Sequence, residues 1–263
     1  MTEILGYVGA VFIGIVLGLI GGGGSILTVP IFVYVLGIEP ILATAYSLFV
    51  VGSTAFVGTI RNTLGNTIDY KTGIIFAIPT FIAVFLTRKF LIPVIPESLF
   101  FIGNFEITKS IGIMMFFALI MALAAFFMIK GRKDTSQKDQ KIEYNYPLII
   151  VESIIVGVLT GIVGAGGGFL IIPALVLLAK LPMKKAVGTS LMIIAIKSLI
   201  GFVGDVQNFD IDWAFLFSFT AFSIIGIFIG IYLNKFIGSK SLKKGFGWFV
   251  LIMAIYIILK EIL

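Results

Sequence analysis

Apolar residues along the chain gather into ten runs, set apart by short polar stretches. They lie at about 4–20, 26–36, 42–60, 73–87 and 110–129, and again at about 147–163, 169–179, 186–203, 213–233 and 245–260. Several approach the roughly 20 residues that carry a helix across a bilayer. None alternates apolar and polar positions over about ten residues, as a membrane β-strand does. The predicted fold is therefore an all-α polytopic membrane protein. Two runs, 26–36 and 169–179, span only about half a bilayer at ~1.5 Å per residue. Residues 4–36 are too long for one crossing and too short for two. A helix, a break and a half-helix fit that length, and the pattern leaves open whether the half-helix crosses or re-enters.

One polar stretch, "KGRKDTSQKDQKIEYN" at 130–145, divides the apolar chain into halves of similar length. The halves match at a fixed offset of 143. Gly14, Gly18, Gly21, Gly23, Gly24, Leu27 and Pro30 pair with Gly157, Gly161, Gly164, Gly166, Gly167, Leu170 and Pro173. Without a gap the register continues through Ala43/Ala186, Ser47/Ser190, Leu48/Leu191, Gly58/Gly201, Ile68/Ile211 and Asp69/Asp212. Leucines and glycines match easily in so apolar a chain, but a proline, a serine and an aspartate in one register mark an internal repeat. The predicted organisation is an N-terminal membrane repeat (1–129), a linker (130–146) and a C-terminal membrane repeat (147–263), forming one transport domain.

Composition narrows the class further. Charged residues are 12% of the chain against 59% hydrophobic, about half the charge of a soluble domain. Residues 1–18, "MTEILGYVGAVFIGIVLG", have no basic flank or small-residue cleavage pattern, so they read as a retained first helix. The absence of cysteine and histidine excludes disulfides, Ser-His triads and histidine- or cysteine-ligated metals. No cofactor, metal site or enzyme chemistry is expected. The net charge of +6 does not point to nucleic acid, because the basic residues sit between apolar runs. With the linker placed in the cytoplasm and the runs alternating from there, fourteen of the nineteen Lys/Arg fall inside and four outside. Lys197 lies within a helix. This orientation inverts one half against the other, places both termini outside and predicts a multi-pass protein of the cell (plasma or inner) membrane.

Each half also carries a recognisable pair of motifs. The second reads "GIVGAGGGFLIIP" at 161–173 and "AVGTSL" at 186–191; the first reads "GLIGGGGSILTVP" at 18–30 and "ATAYSL" at 43–48. Two halves of this design, with Asp212-Trp213 and Asp69-Tyr70 opening the fourth segment of each, resemble the TauE/SafE sulfite-exporter family of membrane transporters. The resemblance covers the chain except the linker and an insertion at 88–109. It implies a permease for small organosulfur or related anions: sulfite, sulfonates or small carboxylates. The first half departs from the pattern at Ser25, where the second has Gly168, and at Ala45-Tyr46, where the second has Gly188-Thr189.

Glycine at a helix break lets the backbone turn sharply and lets a ligand approach with no Cβ in the way. Broken helices in inverted repeats are where many secondary transporters hold substrate. The residues expected at the anion are therefore Gly21, Gly22, Gly23, Gly24 and Ser25 in the first break, and Gly164, Gly166, Gly167 and Gly168 in the second. Half-helices starting near Ser25 and Phe169 would direct their N–H groups at it. Ser47, Thr189 and Ser190 add hydroxyl donors. Lys197, two turns after Ser190, is either a counter-charge or gate, or a snorkelling or structurally paired lysine. Pro30 and Pro173 are expected to kink the half-helices or end their first turns. Gly14, Gly18, Gly157 and Gly161, four apart on one face, read as helix-packing positions. Asp69 and Asp212 read as N-caps, Glu152 as interfacial and the phenylalanines as lipid-facing. H+ or Na+ is the expected coupling ion. An anion channel with the glycine loops as its filter is the alternative reading, and the oligomeric state is left open.

Overall fold

The computed structural model describes residues 2–91, 94–96, 98–102, 105–130, 146–163, 168–179, 181–206 and 209–262. The linker core at 131–145 and Gly164, Gly166 and Gly167 lie outside the described residues, as do the side chains of Ser25 and Phe169.

The first half runs α1 (Thr2–Ile20), α2 (Gly24–Pro30), α3 (Pro40–Leu64), α4 (Tyr70–Leu86), a hairpin of β1 (Ser98–Ile102) and β2 (Phe105–Thr108), and α5 (Lys109–Lys130). The second runs α6 (Tyr146–Val163), α7 (Gly168–Pro173), α8 (Met183–Asp205), α9 (Trp213–Asn234) and α10 (Ser239–Ile262). Among the described residues six helices are long and apolar enough to span a bilayer: α3, α4, α5, α8, α9 and α10. The molecule is a multi-pass helical membrane protein. The antiparallel hairpin, with Phe101 opposite Glu106 and Ile102 opposite Phe105, lies in the 88–109 insertion and is not anticipated by the apolar runs. Its signal is the Gly103-Asn104 dipeptide between two short apolar stretches.

Local chemistry explains where the elements start and turn. The Asp69 carboxylate accepts from the Thr72 N–H at 3.0 Å, and the Asp212 carboxylate from the Phe215 N–H at 3.0 Å, so both are N-caps as their positions predict. The two half-helix prolines do not end their helices. Each sits at the junction with a π-helical turn, Ile31–Val35 after Pro30 and Ala174–Leu178 after Pro173. A proline has no N–H to give and crowds the carbonyl four residues back, and a widened turn relieves both constraints. The turns close with the same wide hydrogen bonds: Leu36 N–H to Ile31 carbonyl at 3.1 Å, and Ala179 N–H to Ala174 carbonyl at 3.0 Å.

Packing joins the two halves element by element. The main helix pairs are α1 with α9, α3 with α8, α4 with α6 and α5 with α10, each taking one helix from either half. Small residues set the closeness of two of these pairs. A β-carbon on Gly14 would strike the Ser223 carbonyl, and one on Gly226 the Val11 carbonyl, so α1 and α9 meet backbone to backbone. Gly157 stands in the same relation to α4, where a β-carbon would lie 2.7 Å from the Thr80 carbonyl. The α5–α10 pair uses larger knobs, Ala118, Met121, Ala125 and Met128 on one helix and Phe246, Val250, Ala254 and Ile257 on the other, all buried.

The pair α3–α8 forms the centre. In their most apolar windows 61% of α3 and 72% of α8 is buried, against 29–39% for the other four spanning helices. They run antiparallel, Gly52 meeting Leu199 and Gly58 meeting Leu191. The phenylalanines are not all lipid-facing, contrary to the sequence expectation. Phe32, Phe76, Phe219 and Phe246 are fully buried. Phe32 packs on Tyr46, Phe215 and Phe219 with ring centroids 4.8–6.2 Å apart.

Candidate substrate site

The first break is built by glycines with different tasks. Gly21 closes α1 through an N–H bond to the Leu17 carbonyl at 2.6 Å and then takes φ +81°, a left-handed conformation that side chains strain. A β-carbon there would lie 2.5 Å from the Ser190 hydroxyl and 2.7 Å from the Val187 carbonyl of α8. Gly22 sits against the Gly168 carbonyl at the start of α7, again with no room for a side chain. Gly23 and Gly24 instead face α1, where a β-carbon would meet Val16 and Leu17. The first two glycines bring the break against α7 and α8; the other two let α2 fold back on α1, with Gly23 also facing Phe249 of α10. All four are buried.

The predicted hydroxyls lie on the two central helices. Ser190 donates to the Val187 carbonyl at 2.8 Å, and its oxygen is the atom packed on Gly21. Thr189 accepts from the Asp69 N–H at 2.9 Å, tying α8 to the start of α4. At the same offset, Tyr46 accepts from the Asp212 N–H at 2.8 Å, tying α3 to the start of α9. Tyr46 enters the sequence reading only as a departure from threonine; what the departure keeps is the hydroxyl.

Other buried hydroxyls have nothing to bind. Among the described residues Ser47 and Thr54 on α3, and Ser198 on α8, have no hydrogen-bond partner, although none is more than 1% exposed. By contrast Thr28, Thr80 and Thr160 satisfy themselves on the carbonyl four residues back. A buried hydroxyl left open costs about 1–3 kcal/mol, so each marks a place where water or a ligand would be bound. Thr54 and Ser198 are residues the sequence reading did not select.

Lys197 is 3% exposed, with its ammonium nitrogen inside the protein. The snorkelling arrangement is therefore not the one found. Because α3 and α8 run antiparallel past Gly52–Leu199 and Gly58–Leu191, Thr54 and Lys197 stand at the same level of the bundle. Ser47 and Thr54 are seven residues apart, as are Ser190 and Lys197, so each helix presents a polar pair on one face. Glu152 is likewise buried in the protein: it is 6% exposed and both carboxylate oxygens lack a partner among the described residues.

Cavities open at opposite ends of this centre. One, of about 400 Å³, lies where α3 and α9 end and α8 begins, with Val187 and Gly18 among its walls. The other, of about 580 Å³, lies where α3 and α9 begin and includes Tyr7, Tyr46 and Asp212. Among the described residues no group of three acidic side chains is placed to hold a metal ion.

A bundle of spanning helices around a buried polar centre, with a cavity at either end, belongs to the class of multi-pass membrane transporters. The sequence model of the family described as "Sulfite exporter TauE/SafE" matches residues 7–257, and the chain belongs to that family. It is 30% identical to a "Probable membrane transporter protein" of Xylella fastidiosa (strain 9a5c) over 94% of this chain and 91% of the relative. It is 28% identical to the "Probable membrane transporter protein YunE" of Bacillus subtilis (strain 168), over 97% of this chain and 96% of the relative. A "Probable membrane transporter protein" of Haemophilus influenzae is 26% identical over 94% of both. No solved structure matches the chain.

Proposed function

We propose that the protein is a secondary transporter of small organosulfur or related anions, such as sulfite, sulfonates or small carboxylates. It works by alternating access around a site between the two glycine-rich helix breaks. The observation that carries this reading is the meeting of the first break with the second half: Gly22 on Gly168, and Gly21 on Ser190 and Val187. That contact adjoins Val187 in the wall of one cavity, and the two central helices carry hydroxyls without partners among the described residues. Ser47, Thr54 and Ser198 leave hydroxyl donors unused along the path, Thr189 adds another, and Ser190 would exchange its bond to the Val187 carbonyl for one to an oxoanion. Lys197 supplies the counter-charge in a medium where a cation is costly unless it has a task. Rearrangement of one half against the other, as inverted repeats do, would open first one cavity and then the other.

In this reading the 130–146 linker faces the cytoplasm, both termini lie outside, and H+ or Na+ drives the cycle. A thermal-shift screen of purified protein against sulfite, taurine, sulfoacetate, thiosulfate and small carboxylates tests it, since specific binding raises apparent stability. At least one anion is expected to stabilise the protein and to show saturable uptake in proteoliposomes. Stabilisation by cations alone overturns the anion reading; single-channel currents overturn the carrier.

A further inference from the structure

The cavity at the end of α3 and α9 carries a charge that the central site does not explain. Its rim holds Arg61 in the last turn of α3, Lys184 in the first turn of α8 and Lys235 at the end of α9. Among the described residues no carboxylate lines it and none of the three cations has an ion-pair partner. The neutral polar groups of the same wall are committed to backbone or to one another. Asn62 donates to the Gly58 carbonyl at 2.9 Å and accepts from Thr67 at 2.7 Å, while Asn234 donates to the Leu19 carbonyl at the end of α1. The wall is thus fixed while the cations stay available.

The placement of these cations is not accounted for by helix ends alone. A C-terminal dipole favours Arg61 and Lys235, but the N-terminal dipole of α8 opposes Lys184. Three like charges around about 400 Å³ also repel one another. An anion among them offsets these repulsions with an attraction to each of the three cations. The cavity at the other end has a different character: its lining includes Asp212 and, among the described residues, no Lys or Arg. Val187 belongs to the wall of the cationic cavity, and its carbonyl touches both Ser190 and the space beside Gly21.

We infer that the Arg61–Lys184–Lys235 cavity is an oxoanion-docking site, one step outside the central site. It concentrates small anions, dianions above monoanions, on that face of the membrane only. The inference rests on the anion reading above, and its chemistry is shared by a free oxoanion and by a lipid phosphate. Focusing by walls of one sign raises local anion concentration and is lost in salt.

The test uses full-length protein in phosphatidylcholine vesicles of known orientation, with sulfite as probe, and a triple variant Arg61→Gln, Lys184→Gln, Lys235→Gln. Calorimetric sulfite binding at low salt is expected to weaken about tenfold in the variant, with KM for uptake rising similarly on the cavity's face alone and kcat retained. A Lys184→Arg, Lys235→Arg variant, which keeps the charge, should behave as wild type and controls for folding. Equal sulfite affinity and equal KM in wild type and triple variant overturn the docking site, even while wild-type transport upholds the carrier. Wild-type binding that the triple variant loses, without any uptake, upholds the docking site while the carrier reading fails. Sulfite binding abolished by added phosphatidylglycerol in wild type identifies the ligand as a lipid headgroup and overturns docking of free cargo.

Discussion

Two backbone N–H groups, those of Asp69 and Asp212, end on hydroxyls from the other half of the chain, Thr189 and Tyr46. Each aspartate also caps its own helix, so one residue fixes both the start of a helix and its seat against a central helix. Removing the hydroxyl leaves a partly buried N–H unsatisfied, at a cost of about 1–3 kcal/mol. Tyr46→Phe and Thr189→Val are each expected to lower the thermal unfolding midpoint, with Thr189→Ser close to wild type. If Tyr46→Phe leaves the midpoint unchanged, the Asp212 N–H has another partner and the bond carries no stability. Gly21 likewise depends on the other half of the chain. Its place in a glycine run is plain in the sequence, whereas its task, a left-handed turn against Ser190, depends on a residue 169 positions away.

At the scale of elements, the apolar runs locate the described helices closely, because a helix that crosses a membrane must be continuously apolar over its length. The half-helices start at Gly24 and Gly168, within a residue of where the glycine clusters place them. The runs did not reveal that each half-helix proline opens a π-turn, since proline alone does not say how the surrounding chain relieves it. Nor did they say which helices the four-spaced glycines would meet. Gly14 and Gly18 meet α9, where Gly226 and Gly230 complete the seam. Gly14→Leu would drive a side chain into backbone that has no space to yield, a cost of at least about 1–3 kcal/mol. The variant should lose most of its folded yield in detergent, measured by size-exclusion profile. Gly238→Ala, at a position with open space around it, should not.

For the whole molecule, orientation is the prediction that separates the readings most cheaply, because the chain has no cysteine to remove first. In intact cells a membrane-impermeant maleimide is expected to label Glu39→Cys, in the loop after the first half-helix, and to spare Ser136→Cys until the membrane is opened. The reverse pattern would invert the topology and with it the face that carries the cationic cavity.

Legible in the chain alone were the class, the helix positions, the N-caps and the family motifs. Each depends on local composition, or on spacing along one chain. Tertiary structure alone decided which half packs on which, that Thr54, Ser198 and Glu152 are interior, that Lys197 does not reach the surface, and that Phe32 and Phe219 belong to the core. The physical reason is the solvent. Lipid tails are as apolar as leucine, so the hydrophobic pattern that separates core from surface in water marks both alike in a membrane. Only the contacts between helices tell one from the other.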